Sequence, residues 1–168
     1  MPKGEFDLIN KYFSCSPKNQ SSLLVDNGDD AAAILIEPDQ ALLTCVDTLV
    51  AGVHFPVDVP VDSIGHKCLA VNISDIAAMG GIPKWATLAL TIPEYDHKWL
   101  ESFASGFFNL ANKYGITLIG GDTTRGPLTV SVQLMGVISK EKQLLRSGAK
   151  VGDKIFVSGR LGEAGIGL

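Results

Sequence analysis

Four aspartates occupy positions where a carboxylate could do chemistry. Asp30 follows a glycine turn, Asp47 interrupts a predicted strand, Asp75 lies on a predicted helix and Asp122 follows a short predicted strand. Asp75 shares a helical face with Cys68 and Met79, which we expect to be buried. A buried carboxylate needs a partner, and no Lys or Arg lies within one helical turn of Asp75. Taken singly, each aspartate could instead cap a turn or lie in solvent.

Convergence of the four carboxylates would require bound cations or protons. At about 5 Å and an effective dielectric near 20, each pair of carboxylates repels by roughly 3 kcal/mol. About six such pairs would cost more than the ~5–15 kcal/mol by which a whole domain is stable. Oxygen ligands without His or Cys favour Mg²⁺, which commonly bridges the phosphates of a nucleotide. The pattern therefore predicts a Mg²⁺ site for nucleotide chemistry.

Candidate phosphate and substrate contacts lie close to these aspartates in the sequence. Gly120 and Gly121 follow a short predicted strand, where backbone N–H groups can approach a phosphate closely. Arg125 and Arg146 are candidate phosphate partners, although surface ion pairs would explain them equally well. His54 follows an apolar strand and precedes a proline-broken loop, so it is the strongest candidate among the histidines; an ordinary loop histidine is the alternative.

The elements that position these residues follow an α+β order. Apolar spacing predicts helices over 4–13, 61–79 and 95–114, and strands over 31–36, 41–50, 85–92, 116–119 and 128–138. Pro38 and Asp39 predict a hairpin between the first two strands. We expect a mixed sheet of about four strands with the helices packed on one face.

The domain organisation predicted from the sequence has a boundary near residue 150. Residues 1–150 form an amino-terminal domain, and a polar segment with two glycines ends it. A new apolar strand at 153–158 and a Gly-rich segment at 159–168 have nothing to pack against. We therefore interpret 151–168 as the truncated start of a carboxyl-terminal domain.

Composition excludes several function classes. The 168-residue chain carries a formal net charge of −4, which argues against a nucleic-acid partner. We find no signal peptide and no apolar run of the roughly 20 residues that a membrane span needs, so no membrane partner is expected. The three cysteines are scattered and fit free thiols in a reducing compartment. These features predict a cytoplasmic protein.

Six motifs, in order along the chain, resemble the thiamine-monophosphate kinase family. They are GEFDLI at 4–9, GDDAA at 28–32, DTLVAGVHF at 47–55, NISDIAAMGG at 72–81, GGDTTRG at 120–126 and RSGAKVGD at 146–153. The resemblance implies an ATP-using subunit with two α/β domains. It also implies that amino-terminal domains, which bind ATP and several Mg²⁺ ions, pair as a homodimer whose sheets close into a barrel.

The resemblance also implies roles for individual residues. Asp30, Asp47, Asp75 and Asp122 match the Mg²⁺ ligands; Gly121, Asp122 and Arg146 match the ATP-binding positions; His54 matches a substrate contact. Family members often carry Ser or Thr where this chain has Cys45 and Val46. A side-chain hydroxyl ligand is therefore impossible at these two positions.

The activity implied is phosphorylation of thiamine phosphate to thiamine diphosphate, with ATP as co-substrate. Because the acceptor is already an anion, we expect direct in-line transfer with no catalytic nucleophile from the protein and no phosphoenzyme. Two alternatives stay open. One is another ATP-dependent synthetase of the same superfamily, and the other is an inactive nucleotide-binding and dimerisation module.

Overall fold

The computed structural model describes residues 5–14, 21–26, 30–157 and 159–163. In chain order the elements are α1 (Glu5–Tyr12), β1 (Leu23–Val25), β2 (Ala33–Ile34), β3 (Gln40–Val50), α2 (Val61–Ala78), β4 (Ile82–Ile92), α3 (His97–Tyr114), β5 (Thr117–Arg125), β6 (Thr129–Ser139) and a 3₁₀ turn (Arg146–Gly148). This order confirms the α+β class. Every described helix is too short or too polar to cross a membrane.

A four-stranded mixed sheet forms the centre of the fold, as predicted. Its strand order is β3-β6-β4-β5, with β4 and β5 parallel and the other neighbours antiparallel. The β3–β6 ladder runs from the pair Gln40–Ser139 to the pair Val50–Thr129 without a register shift. Both strands are rich in Val, Leu and Thr, which suit a pleated surface.

The predicted hairpin between 31–36 and 41–50 is wrong. β2 pairs instead with β1, a short strand that the sequence pattern did not predict, and β3 pairs with the distant β6. A two-residue β2 could satisfy only a small part of an eleven-residue β3, whereas β6 matches β3 along its whole length. β5 also continues past its predicted end at 119, because the glycine pair stays in the ladder with β4.

The main core lies between the helices and one face of the sheet. α2 packs over β3 and β6, and α3 packs beside α2. Two glycines allow the helix backbones to touch. A Cβ at Gly106 would lie 1.9 Å from the carbonyl oxygen of Asp62, and a Cβ at Gly65 would lie 2.1 Å from that of Phe103. These distances are far below van der Waals contact, so larger residues at either position would push the helices apart.

Local signals fix the ends of α3. The Asp96 side chain accepts hydrogen bonds from the backbone N–H groups of Lys98 (2.8 Å) and Trp99 (3.3 Å), which satisfies donors of the first turn. Gly115 ends the helix in the left-handed conformation, with a φ of 65°. Phe103 and Phe107 lie on the apolar face between these ends and are completely buried.

A second, smaller core covers part of the opposite sheet face. Trp85, Ile119 and Val137 are buried there, and side chains of the β1–β2 segment, including Leu23 and Ile34, pack against them. The Trp85 indole Nε1 is buried and has no hydrogen-bond partner among the described residues. Such a donor loses its hydration without compensation, so this cluster carries a local energetic penalty.

Helix α1 is attached to the start of α3 through aromatic side chains. The Tyr12 hydroxyl and the His97 Nδ1 share a short hydrogen bond, and Lys11 Nζ lies 2.7 Å from His97 Nε2. A hydrogen bond with Tyr12 raises the pKa of Tyr95, whose hydroxyl lies 3.4 Å away.

The expected strand at 153–158 is not formed over 153–157, which have no regular structure and are largely exposed. Residue 158 and residues 164–168, the second half of the Gly-rich segment, lie outside the described residues.

Candidate functional site

Two of the four aspartates act on one thiol at the edge of the sheet. Side chains alternate along β3, so Cys45 and Asp47 point to the same face as Leu49, which is part of the main core. Burial, followed by the negative charges of Asp75 and Asp47, raises the pKa of the Cys45 thiol to about 11. Both carboxylates therefore lie near Cys45, on the side of the sheet that faces α2.

Asn72 anchors α2 against this part of β3. It is completely buried, its Nδ2 donates to the Cys68 carbonyl (3.0 Å), and the Cys45 thiol lies 3.5 Å from its Oδ1. Because every polar group of this side chain has a partner, burial of Asn72 costs little. Asn72 belongs to the motif at 72–81, but its place in a predicted helix gave no sign that it anchors α2 against β3.

The expectation that Asp75 is buried is wrong. Its side chain is exposed, while the buried stripe of α2 follows steps of four residues through Cys68, Asn72 and Ile76. Seven residues make nearly two full turns, so Asp75 lies in line with Cys68; it falls at the margin because the buried stripe is centred farther round the helix, toward Asn72 and Ile76. Asp47 is half-buried. The pair consequently lies at the border between core and solvent, where it can exchange ligands with water.

Asp122 lies at the other edge of the sheet from Asp47, one residue beyond the row that contains Asp47. The register aligns Asp47 with Val132, Val132 with Leu88, and Leu88 with Gly121, the residue before Asp122. Three strand intervals of about 4.8 Å separate the two edges by about 14 Å. Asp122 also pairs with the exposed Ala89, so it faces away from the helices. The structure therefore does not bring Asp122 to the Asp47–Asp75 pair.

Gly121 occupies a position where a side chain would not fit. A Cβ there would lie 1.9 Å from the Leu88 carbonyl oxygen of β4, and its φ of 155° is one that other residues rarely adopt. The glycine lets β5 stay in the ladder directly before Asp122. Its close packing against β4 explains the residue type without a phosphate.

The other predicted site residues, Asp30, Arg146 and Arg125, are exposed. Asp30 lies just before β2, and the neighbouring residues 27–29 are outside the described part of the chain. Arg146 opens the 3₁₀ turn. Arg125, the alternative phosphate partner, donates from Nε to the Pro93 carbonyl at 3.1 Å.

Within the described residues, no three His, Cys, Asp or Glu side chains are grouped so that they could hold a metal ion. The expected four-carboxylate cluster is therefore absent from a single described chain. Asp47 and Asp75 still supply the oxygen donors that suit Mg²⁺, which is usually held by one or two carboxylates, water and substrate phosphates. This part of the site fits Mg²⁺ in donor type.

His54 lies in a tight turn directly after β3. The backbone N–H of Val50 donates to His54 Nδ1 (3.0 Å), and Gly52 takes a positive φ of 76° that closes the turn. Lys67, on α2, donates from Nζ to the His54 carbonyl oxygen at 2.6 Å. The imidazole is exposed and near the end of the strand that carries Asp47. Sequence spacing gave no signal that Lys67 reaches this turn.

Comparison with known proteins identifies the domain type. Residues 28–138 match the family described as AIR synthase related protein, N-terminal domain. The thiamine-monophosphate kinase of Escherichia coli (strain K12) is 47% identical over 168 residues, which is 100% of this chain and 52% of the relative. The chain therefore spans about half the length of the curated relatives that it matches.

Solved structures show the same likeness. The crystal structure of thiamine-monophosphate kinase from Stenotrophomonas maltophilia K279a superposes with a TM-score of 0.71 at 49% identity, over 75% of this chain and 40% of that one. The structure of AaThiL complexed with AMPPCP and TMP superposes with a TM-score of 0.70 at 32% identity, over 95% of this chain and 49% of that one.

Proposed function

Because this chain belongs to the AIR synthase related protein family through its N-terminal domain, we propose that it is the amino-terminal half of an ATP-dependent thiamine-phosphate kinase. The observation that carries this proposal is the identity of 47% over the whole chain with a thiamine-monophosphate kinase. A relative at 32% identity holds AMPPCP, a non-hydrolysable ATP analogue, together with TMP. Both findings agree with the family resemblance of the six sequence motifs.

The proposed reaction is direct transfer of the γ-phosphoryl group of ATP to the terminal phosphate oxygen of thiamine phosphate. Asp47 and Asp75 would hold Mg²⁺, which neutralises phosphate charge when it is bound. The chain's own contribution is to place these carboxylates near the Asn72–Cys45 contact and to present His54 to the substrate. An anionic acceptor needs no side-chain nucleophile, so a labelled phosphoryl group trapped on the protein would refute this mechanism.

We assign ATP contacts to Gly121, Asp122 and Arg146, and further Mg²⁺ contacts to Asp30 and Asp122. Within one chain Asp122 lies about 14 Å from Asp47. The site is therefore incomplete unless an edge strand of a second subunit approaches Asp47. A homodimer would supply it, because β3 and β5 are the two edges of the described sheet. In this proposal Asp122 of one subunit completes the site of the other.

Subunit complementation tests the shared site. Full-length Asp47→Asn and Asp122→Asn proteins should each be inactive, and after unfolding and refolding together about a quarter of the wild-type activity should return. This fraction follows because half of the subunits form heterodimers and each heterodimer has one intact site. If the mixture stays as inactive as either variant, both aspartates belong to the same subunit's site. Sedimentation of each protein gives the oligomeric state independently.

A coupled ADP-release assay on the full-length protein tests the activity. Turnover with thiamine phosphate supports the kinase, and turnover with aminoimidazole precursors alone favours the rival synthetase. Calorimetry with Mg²⁺ and a non-hydrolysable ATP analogue tests the other alternative, an inactive nucleotide-binding and dimerisation module. In the proposed enzyme, residues 1–150 bind nucleotide and dimerise, 151–168 begin the second domain, and the location is the cytoplasm.

A further inference from the structure

A lysine of α2 holds the turn that presents His54. Lys67 is half-buried, and its Nζ donates to the His54 carbonyl oxygen at 2.6 Å. The other side of the turn is fixed by Phe55, which is buried and accepts a backbone hydrogen bond from Gly52 (2.8 Å). The main chain around His54 is therefore held from α2 and from the core.

Lys67 does not have the surroundings of an ordinary surface lysine. Among the described residues, no carboxylate forms an ion pair with Lys67. The ion pair found in that part of the chain joins Arg160 and Glu163 instead. The Lys67 ammonium group contacts a carbonyl oxygen and lies beside the exposed turn. A cation held in place without a carboxylate partner attracts an anion to that turn.

The His54 ring has a defined donor. Its Nδ1 accepts from the Val50 N–H at 3.0 Å, so in the neutral ring the hydrogen lies on Nε2. The ring is exposed, and its Nε2–H can donate to a ligand. An anionic oxygen, such as a phosphate oxygen, is the kind of acceptor that suits this donor next to a lysine.

We infer that Lys67 is a positioning residue for thiamine phosphate: it fixes the 51–55 turn so that the His54 Nε2–H binds a substrate oxygen. This inference rests on the proposed kinase function. Lys67 acts through His54, and its charge favours the anionic substrate from a second direction. The bond between Lys67 and the His54 carbonyl is the observation on which the inference depends.

Kinetics of full-length variants test the role of Lys67. Lys67→Met should raise the KM for thiamine phosphate about tenfold, as expected for loss of one charge-assisted hydrogen bond. The KM for ATP should change less than about twofold. Lys67→Arg should restore most of the loss, because the guanidinium is also a donor. Lys113→Met, an exposed lysine of α3, is the matched control and should match the wild type.

The tautomer of His54 gives a readout that is independent of kinase activity. In full-length protein labelled with ¹⁵N-histidine, the His54 signals should show the Nε2–H form in the wild type and in Lys67→Arg. In Lys67→Met they should show a mixture of forms. His54→Gln identifies the signals, and a thermal melt verifies that each variant is folded.

Each outcome of these two tests has a defined meaning. An unchanged tautomer and an unchanged KM for thiamine phosphate in folded Lys67→Met would overturn the inference. If the wild type does not turn over thiamine phosphate at all, the proposed function fails. The NMR result then still decides whether Lys67 positions His54, and titration with inorganic phosphate decides whether the ring binds an anionic oxygen.

Discussion

Replacing Gly106 with alanine tests the backbone contact between α2 and α3, which holds the helix that carries Asp75. In a helix interior alanine is favoured over glycine by about 1 kcal/mol. A Cβ at this position, however, would lie 1.9 Å from the Asp62 carbonyl oxygen. Ordinary contact begins near 3.4 Å, so the helices must separate by about 1.5 Å or the backbone must distort.

The clash should outweigh the helix propensity. Overpacking a tight contact costs about 1–3 kcal/mol, and here the obstructing atom belongs to backbone and cannot rotate away. The clash should therefore cost about 3 kcal/mol, the upper end of that range, and the gain of about 1 kcal/mol in helix propensity leaves a net loss of about 2 kcal/mol in the free energy of unfolding. With a urea m-value of about 2 kcal/mol/M, the midpoint should fall by about 1 M.

Urea unfolding followed by tryptophan fluorescence measures this change, because Trp99 lies on α3 itself. Gly148→Ala is the matched control. It makes the same chemical change where no atom lies within 4 Å of the added Cβ, and it should shift the free energy by less than about 0.5 kcal/mol. If Gly106→Ala unfolds at the wild-type urea concentration or above it, the close helix contact does not exist.

Four further changes test other parts of the reasoning. Asp75→Asn should weaken Mg²⁺–ATP binding by calorimetry and leave metal-free stability unchanged or higher; lower stability with unchanged binding would make this aspartate structural. The Cys45 thiol, with a pKa of about 11, should react slowly with iodoacetamide at pH 8, and its rate should rise as the pH approaches that value. Asp75→Asn removes one of the charges that raise this pKa, so the reaction should speed up. The gain should be only about twofold to fivefold, because a lower pKa also weakens the thiolate as a nucleophile. Buried Cys68, whose pKa burial raises to about 12, is the unreactive control, and an unchanged Cys45 rate would show that Asp75 lies elsewhere. Asp96→Ala should cost about 1 kcal/mol in urea unfolding, since two N–H groups lose their acceptor, and no loss would disprove the cap. Trp85→Phe should cost less than about 2 kcal/mol, because it also removes a buried unpaired donor, and a loss above about 4 kcal/mol would show that the indole N–H has a partner.

The sequence predicted the long elements well, since their apolar periods are strong. Helix α3 carries an aspartate cap, a glycine stop and an apolar stripe, and its predicted range of 95–114 differs from the observed one by two residues at its start. Short strands gave no such signal. β1 has three residues and β2 has two, so neither shows a period, and their pairing depends on the Trp85 cluster that they cover.

The candidate site was predicted in residue type but only partly in arrangement. Motif spacing singled out Asp47 and Asp75, and the structure brings both to one thiol. Periodicity did not predict that Asp75 is exposed, because its position at the margin of the buried stripe depends on how α2 lies on the sheet. The separation of Asp122 follows from strand order, which is set by long-range pairing that local sequence does not encode.

The uninterrupted β3–β6 ladder has a consequence for how errors in folding would appear. A slip of one residue between these strands would turn Asp47 and Cys45 away from α2 and expose the apolar residues that now face the core. The same slip would break the row that joins Asp47 to Gly121 across the sheet. Misaligned molecules would thus lose solubility and ligand binding together, so selection for a well-packed interior also preserves the geometry on which chemistry depends.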